Sequence, residues 1–219
     1  MPFDIRHHHV LERQIAAYGN FDPFIMERFE KTPRSFFMPP DLVHRAYVED
    51  ILPLSDTRAV MMPLSLAKLM THLPQALEKN SMVVGGNTGY AAAILSHLVS
   101  SLFLLESDER FLETAQAGFS ALHIDNVVVC PGPLKEGLMR QGPFHFILIE
   151  GAVEYVPSCF FDQLSDDGLG VFACQFKGLP VGMMTRFQRN KQGVVTKKEL
   201  FEMPAYPLKD FFHPPRFEF

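Results

Sequence analysis

Residues 82–90 read MVVGGNTGY, and this stretch decides the fold. An apolar run, 82–84, passes directly into the glycine-rich turn 85–89, and a helical pattern begins at Tyr90. A short strand that is apolar on both faces suits a parallel sheet covered by helices. In such a sheet, a glycine turn between the first strand and its helix lets a ligand approach the backbone. The stretch therefore predicts both an α/β fold and the position of its binding site.

Similar apolar runs recur along the chain after this turn, separated by helical stretches. They lie at 102–105, 127–130, 146–149 and 169–174. Alternation of strands and helices is typical of a doubly wound, mostly parallel sheet with helices on both faces. The pattern predicts such a sheet as the core of the molecule.

The two ends of the chain carry other patterns. Apolar residues between His9 and Arg28 recur at loosely helical spacing and predict two short helices, with Asp22 placed to cap the second. Another short helix is expected to start at Asp41, and 63–77 has the spacing of an amphipathic helix. The stretches 182–188 and 194–201 predict an antiparallel pair. The aromatic C-terminal tail either packs on the sheet or forms an exposed partner site. We expect one domain over 1–219 with three parts: a helical N-terminal subdomain (1–60), the α/β core (61–175), and an antiparallel edge with the tail (176–219).

Composition argues against several classes of protein. The 219 residues carry a net charge of −5 and a pI near 6.0, without a basic patch, so nucleic acid is not an expected partner. The longest apolar stretch falls short of the roughly 20 residues that a membrane span needs. The start of the chain also lacks the pattern of a signal peptide. We therefore expect a cytoplasmic protein that does not enter a membrane.

Two groups of potential metal ligands have unsuitable spacing. Three adjacent histidines, 7–9, point in different directions on a regular backbone and rarely converge on one ion. Cys130, Cys159 and Cys174 do not form a CxxC pair, and they suit small apolar residues in a reducing compartment. We therefore expect no metal site.

The second core strand ends in an acidic residue at the position that a nucleotide site requires. Glu106 lies 21 positions after Gly85. An acidic residue about 20 positions after such a turn is placed to accept hydrogen bonds from ribose hydroxyls. We therefore assign cofactor binding to Glu106 and to the five residues of the turn, which are Gly85, Gly86, Asn87, Thr88 and Gly89.

The order of glycines indicates which cofactor. The turn lacks the GxGxxG order of dinucleotide sites, and no Tyr-x-x-x-Lys pair follows it, so an NAD-dependent oxidoreductase is a distant alternative. The order GGNTG instead resembles the GxGxG turn of S-adenosylmethionine-dependent methyltransferases with its middle glycine replaced. Over about 10–174 the chain resembles the protein-L-isoaspartate O-methyltransferase family, and its ending, PLKDFFHPPRFEF, is similar to a short alphaproteobacterial branch of that family. The resemblance rests on ERQI (12–15), TPRSFFMPP (32–40), AYVED (46–50), NTGY (87–90), DNVVV (125–129) and PFHFILIEGAVEYVP (143–157).

The resemblance implies a Rossmann-like sheet of the methyltransferase type and S-adenosylmethionine as methyl donor. The methyl group would go to the side-chain carboxylate of isoaspartyl residues in damaged proteins. Glu150, at the end of the fourth core strand, adds a carboxylate where open sheets bind ligands. This side chain either meets the ammonium group of the cofactor or is a solvated acid at a strand end.

Four positions depart from the family pattern. Val83 stands in place of an acidic residue before the turn, Asn87 in place of the central glycine, and Pro133 in place of an acidic residue that helps to bind adenine. Met61 occupies the position of the serine thought to act in catalysis, so no catalytic residue is assigned. We therefore expect impaired or altered carboxyl methylation. The alternative is a non-catalytic relative that binds a ligand or a protein.

Overall fold

The computed structural model describes residue 7 and residues 11–48, 50–178 and 180–213. Nine strands are assigned within these ranges. They are β1 (Leu52–Ser55), β2 (Arg58–Val60), β3 (Leu77–Val84), β4 (Val99–Glu106), β5 (Val127–Pro131), β6 (Phe146–Val153), β7 (Gly170–Phe176), β8 (Val181–Arg189) and β9 (Val195–Pro204). Seven of these strands form the central sheet, in the order β5-β4-β3-β6-β7-β8-β9, and β1 and β2 form a separate hairpin.

The directions of the strands confirm the predicted fold class. Strands β3 to β7 are mutually parallel, whereas β8 and β9 add an antiparallel edge. Each predicted apolar run lies in a strand, except that Leu169 directly precedes β7. β3 begins at Leu77 instead of residue 82, because the Leu77 N–H already donates to Leu98 O (2.6 Å) and the following residues pair with β4.

Side chains of the sheet alternate between two apolar clusters. In β3, Val83 joins the larger cluster while Met82 and Val84 join the smaller one. The larger cluster receives side chains from the helices Pro23–Lys31, Pro63–Met70, Tyr90–Ser96 and Glu109–Ala121. The smaller cluster receives side chains from the helix Cys159–Asp162, so helices cover both faces as predicted. The α-helices are α1 (Pro23–Lys31), α2 (Pro63–Met70), α3 (Tyr90–Ser96), α4 (Glu109–Ala121) and α5 (Cys159–Asp162), and the shorter turns are the π-helix Leu11–Ile15 and the 3-10 helices Ala16–Tyr18, Arg34–Phe37, Val43–Arg45, Leu134–Glu136 and Lys209–Phe211.

The N-terminal part is only partly helical. Helix α1 begins at Pro23, and the Asp22 carboxylate accepts a hydrogen bond from Phe24 N–H (2.8 Å), which is the predicted cap. The prediction of a helical subdomain over 1–60 was nevertheless wrong for its last residues, which form the β1–β2 hairpin. Strands of four and three residues are too short to show an alternating pattern. This hairpin brings Arg58 and Val60 into the interior.

Helix α2 is shorter than its apolar pattern predicted. It ends at Met70, where the Thr71 hydroxyl donates to Lys68 O (2.7 Å), and Pro74 follows. Proline interrupts a helix because it lacks an N–H and restricts the residue before it. Leu73 is still buried, so part of the periodic pattern reflects packing of a turn instead of helix.

After β9 the chain turns back across the carboxyl ends of the central strands. We call residues 205–213 the closing segment. Its Phe211 is fully buried, so this part of the aromatic tail packs on the sheet, whereas 214–219 lie outside the described residues. Three backbone hydrogen bonds of 2.8 to 3.1 Å join the segment to β6 and the residue after it: Ala152 N–H to Tyr206 O, Leu208 N–H to Ala152 O, and Glu154 N–H to Phe211 O.

Across 11–48, 50–178 and 180–213, every helix is too short or too polar to span a bilayer.

Helix α4 and the connector at Phe36 and Phe37 approach so closely that only glycine fits between them. A Cβ on Gly118 would lie 2.6 Å from Phe37 Cε1 and 2.9 Å from Phe36 O. We predict that Gly118→Ala lowers the free energy of unfolding by about 1–3 kcal/mol. Alanine usually stabilises a helix relative to glycine by up to about 1 kcal/mol, so the sign of the change reports the contact. Urea unfolding measures it, with exposed Ser120→Ala as the control, and a stabilised Gly118→Ala variant would contradict the packing.

Candidate functional site

The turn after β3 keeps a backbone suited to a close ligand. Gly85, Asn87 and Gly89 have φ values of 67°, 53° and 90°, all in the left-handed region. Glycine adopts this region freely, and asparagine does so more readily than most residues. The Asn87 amide also donates to Ala59 O (3.0 Å). The turn is therefore intact although its central glycine is replaced.

The other turn residues lie against the core. A Cβ on Gly86 would be 2.0 Å from Leu104 Cδ1. Thr88 is fully buried, and its hydroxyl has no hydrogen-bond partner among the described residues. All residues of 85–89 are buried. The groups predicted to bind a cofactor are therefore together, but they do not face solvent.

Glu106 lies beside the turn, as predicted, and its carboxylate is fully buried. Its oxygens accept hydrogen bonds from the Arg58 side chain and from three backbone N–H groups. The distances are 3.1 Å from Arg58 Nε to each oxygen, 3.1 Å from Asn87 N, 2.7 Å from Ser107 N and 3.1 Å from Asp108 N. Protein groups thus already surround the carboxylate that was assigned to ribose binding.

Arg58 is the main site residue that the sequence did not reveal. Its side chain is 4% exposed, and besides Glu106 it contacts Asp210 Oδ2 (3.1 Å) and Ser107 Oγ (3.0 Å). Glu106 lies 48 positions away in the chain, and Asp210 lies 152 positions away. The one available signal was a charged residue in the mostly apolar stretch 58–64, and it does not indicate a partner.

Glu150 is also buried, at 4% exposure, which excludes the alternative of a solvated strand-end acid. Its Oε1 accepts a hydrogen bond from Met61 N–H (3.3 Å), whereas Oε2 has no partner among the residues that the structure describes. Burial raises the pKa of the Glu150 carboxyl to about 7. The Met61 N–H and the nearby Asn87 side chain oppose this rise, Glu106 adds to it, and Arg34 lowers the pKa.

Met61 lies between two buried charged side chains. Its N–H faces Glu150, and its carbonyl oxygen accepts a hydrogen bond from the Arg34 guanidinium (3.2 Å). Arg34 is 1% exposed and also donates to Val60 O (3.3 Å). Arg34 is a second residue whose role the sequence did not reveal. The Met61 side chain is itself buried in the apolar cluster.

The other two departures from the family pattern lie in different surroundings. Val83 is fully buried in the larger cluster. Pro133 is exposed and directly precedes the short helix Leu134–Glu136, whose Leu134 packs in the smaller cluster. Neither position presents a polar group to a ligand.

The closing segment lies directly over the turn. A Cβ on Gly85 would be 3.1 Å from Leu208 Cδ2, and one on Gly151 would be 2.7 Å from Leu208 Cβ. Beside this contact, Tyr206 donates a hydrogen bond to Ser55 O (2.6 Å). The segment therefore covers the carboxyl ends of β3 and β6, where ligands of open sheets bind.

A cavity of about 20 Å³ lies beneath the segment, next to Glu150. This volume holds about one water molecule. Its lining is mostly apolar and includes Met61, Met62, Cys174, Met203 and Tyr206. A nucleotide-sized ligand does not fit here while the segment is in place.

Among the described residues, histidine, cysteine and acidic side chains form no group of three that could hold a metal ion. The histidine tract 7–9 lies largely outside these residues.

Comparisons with known proteins agree with this architecture. The family model for protein-L-isoaspartate(D-aspartate) O-methyltransferase matches residues 6–210. The protein-L-isoaspartate O-methyltransferase of Hahella chejuensis is 32% identical over 203 residues, which are 90% of this chain and 93% of that protein. The enzyme of the same name from Idiomarina loihiensis is 30% identical over 172 residues, 78% of each chain.

Two solved structures share the fold. One protein-L-isoaspartate O-methyltransferase superposes with a TM-score of 0.75 at 20% identity, covering 92% of this chain and 65% of that chain. A putative enzyme of this type from Plasmodium falciparum, in complex with S-adenosyl-L-homocysteine, gives a TM-score of 0.70 at 15% identity, covering 94% and 97%.

The sheet and its glycine turn thus define a Rossmann-like fold of the methyltransferase type. Within that class, the family is shown by the extent of the match to the family model and by the sequence identity to members of the family. The chain belongs to the protein-L-isoaspartate O-methyltransferase family.

Removal of Arg58 should leave the Glu106 carboxylate buried without its charged partner, with only backbone N–H groups and the Ser107 hydroxyl (3.3 Å) as donors. Loss of one member of a buried ion pair typically costs 3–5 kcal/mol, so we predict that Arg58→Ala lowers the free energy of unfolding by about 3 kcal/mol. Arg110→Ala is a matched control, because Arg110 pairs with Asp108 on the exposed surface and should change stability little. Equal effects of the two substitutions in denaturant unfolding would show that the buried pair has no special role.

The burial of Glu150 should make stability depend on pH. Because its pKa in the folded state is about 7 against an ordinary value of 4.5, folding favours the protonated form. The stabilisation is complete below about pH 4.5, declines as the pH rises towards 7, and is constant above that, with a total change of roughly 3 kcal/mol. Glu150→Gln should remove this decline and exceed the wild type in stability at pH 8. Unfolding curves between pH 4 and 8 test the prediction, which fails if the two proteins show the same pH profile.

Proposed function

We propose that this member of the family methylates isoaspartyl carboxylates very slowly or not at all. S-Adenosylmethionine is the methyl donor that family membership implies, and we propose that its binding is weakened. The observation that carries this proposal is the state of Glu106, whose carboxylate is already bonded to Arg58 and to the backbone.

On the side of the methyl donor, the carboxylate predicted to bind the cofactor is already bonded to other groups of the protein. A carboxylate has about four lone-pair positions, and the donors around Glu106 already use that capacity. A ribose hydroxyl would have to displace one of them. Leu208 also occupies the space over Gly85 and Gly151. The residues present therefore do not fit the cofactor in this conformation.

On the acceptor side, the surroundings disfavour a carboxylate. A carboxylate that leaves water needs hydrogen-bond donors, and the thioether of Met61, at the family's serine position, supplies none. Val60, Met62 and Met203 add further apolar surface nearby. An ionised Glu150 would in addition repel a second carboxylate. An isoaspartyl substrate would therefore bind weakly or in an unproductive position.

A methyl-transfer assay on an isoaspartyl peptide with labelled S-adenosylmethionine tests the proposal. We predict turnover more than tenfold below that of an active family member measured in parallel, because donor and acceptor are not held in line. S-Adenosylhomocysteine should bind with a Kd in the micromolar range or weaker, since each lost charge-assisted hydrogen bond costs roughly 1.5–3 kcal/mol and 1.4 kcal/mol is tenfold in affinity. Turnover within tenfold of the active enzyme would overturn the proposal.

Met61→Ser provides a matched variant for the same assay. It restores the family's residue on the acceptor side and leaves Arg58, Glu106 and Leu208 unchanged. We expect less than a tenfold recovery, because the donor side is still closed. Full recovery by this substitution would show that the acceptor side alone limits the reaction. Absence of turnover at saturating donor would favour the non-catalytic alternative.

A further inference from the structure

We propose that the closing segment, 205–213, is a reversible cover whose displacement opens the site to an adenosyl ligand. The inference rests on the proposed position of the cofactor site. It goes beyond that assignment because it makes the closed site one of two states of the same chain.

The segment blocks the site with one apolar side chain. Leu208 contacts the backbone at Gly85, directly after β3, and at Gly151, near the carboxyl end of β6. Leucine supplies no hydrogen bonds to the polar groups below it. Leu208 thus fills space that a ligand would occupy, but it does not form the hydrogen bonds that a polar ligand would form.

Buried polar atoms of the glycine turn and of the small cavity lack partners. Asn87 Oδ1, Thr88 Oγ1 and Glu150 Oε2 are buried without a hydrogen bond from any described residue. Unsatisfied buried polar atoms disfavour the state that contains them, and they are uncommon in folded proteins. Asn87 and Thr88 belong to the glycine turn, and Glu150 lines the small cavity together with Tyr206 of the segment. A polar ligand in this space would satisfy atoms that the closed state leaves unpaired.

The side-chain attachments of the segment are at its edge. Asp210 pairs with Arg58 (3.1 Å), and its side chain is 36% exposed. An open groove of about 740 Å³ reaches this pair from solvent, and Arg58, Ser107, Lys209 and Asp210 lie along it. Ion pairs with an exposed member contribute little to stability, because water competes for both charges. The edge of the segment is therefore the part that is easiest to release.

Arg58 links this edge to the interior. The same guanidinium contacts Asp210 in the segment and Glu106 under the turn. Once the segment leaves, Arg58 loses one of its two carboxylate partners, and the guanidinium that shields Glu106 is held less firmly. Release of the segment thus favours exposure of Glu106, the carboxylate that a ribose would need.

Calorimetry with S-adenosylhomocysteine tests whether the segment competes with the ligand. We expect Leu208→Ala to bind it at least tenfold more tightly than the wild type. The double variant Tyr206→Phe, Asp210→Ala removes the side-chain attachments to Ser55 and Arg58 and should also bind more tightly. This double variant still tests whether the segment competes with the ligand if Leu208→Ala does not fold. Leu73→Ala is the control, since it shortens a buried leucine of the other cluster.

Two results in this experiment would overturn the proposal. One is unchanged affinity in the segment variants that retain cooperative unfolding. The other is an equal gain in Leu73→Ala, which would mean that general loosening admits the ligand. A gain confined to the segment variants supports the cover.

Amide hydrogen exchange gives a readout that is independent of turnover. The N–H groups of Ala152 and Glu154 donate to Tyr206 O and Phe211 O, so they report whether the segment is docked. Saturating S-adenosylhomocysteine should speed exchange at both amides in the variant that binds it most tightly. Unchanged or slower exchange with bound ligand would overturn displacement. Fast methyl transfer by the wild-type protein would refute the proposed function, but the exchange measurement would still test displacement of the segment.

Discussion

The buried pair of Arg58 and Glu106 fixes the geometry of the site, because charges removed from water must be matched by partners in place. Glu106 ends β4 and holds the glycine turn through Asn87 N–H. Arg58 comes from the hairpin that precedes the core, and it also contacts Asp210 of the closing segment. Three parts of the chain that are distant in sequence are therefore aligned by one guanidinium. Leu208 lies over the turn in the same arrangement.

The sequence predicts elements whose pattern is local. Strands β3 to β7 are recognisable because they are apolar on both faces, and Asp22 is recognisable because a cap acts on the next few residues. The hairpin β1–β2 is too short to produce a periodic signal. The apolar spacing predicts a helix α2 that is too long, because Leu73 is buried in a turn and still falls at helical spacing. Elements that depend on neighbouring residues can thus be predicted from the sequence, whereas contacts between distant segments cannot.

The same distinction applies to the candidate site. The turn and Glu106 are brought together as predicted, because consecutive parallel strands end at the same edge of the sheet. Their accessibility was not predictable. It depends on Arg58, 48 positions from Glu106, and on Leu208, which lies beyond the last strand of the core. A resemblance identifies which positions belong to a site, but it does not indicate which other side chains of the chain lie against them.

The two buried carboxylates of the site, Glu106 and Glu150, differ in their hydrogen bonding. Glu106 accepts hydrogen bonds on both oxygens from groups of the protein. Glu150 has one oxygen bonded to Met61 N–H and the other without a partner, and burial raises its pKa to about 7. A buried polar group that loses its ligand must find a protein partner or remain unsatisfied. Glu106 has protein partners on both oxygens, whereas Glu150 Oε2 has none among the described residues. Of the two carboxylates, it is therefore Glu150, next to the small cavity, that retains an unused hydrogen-bond acceptor.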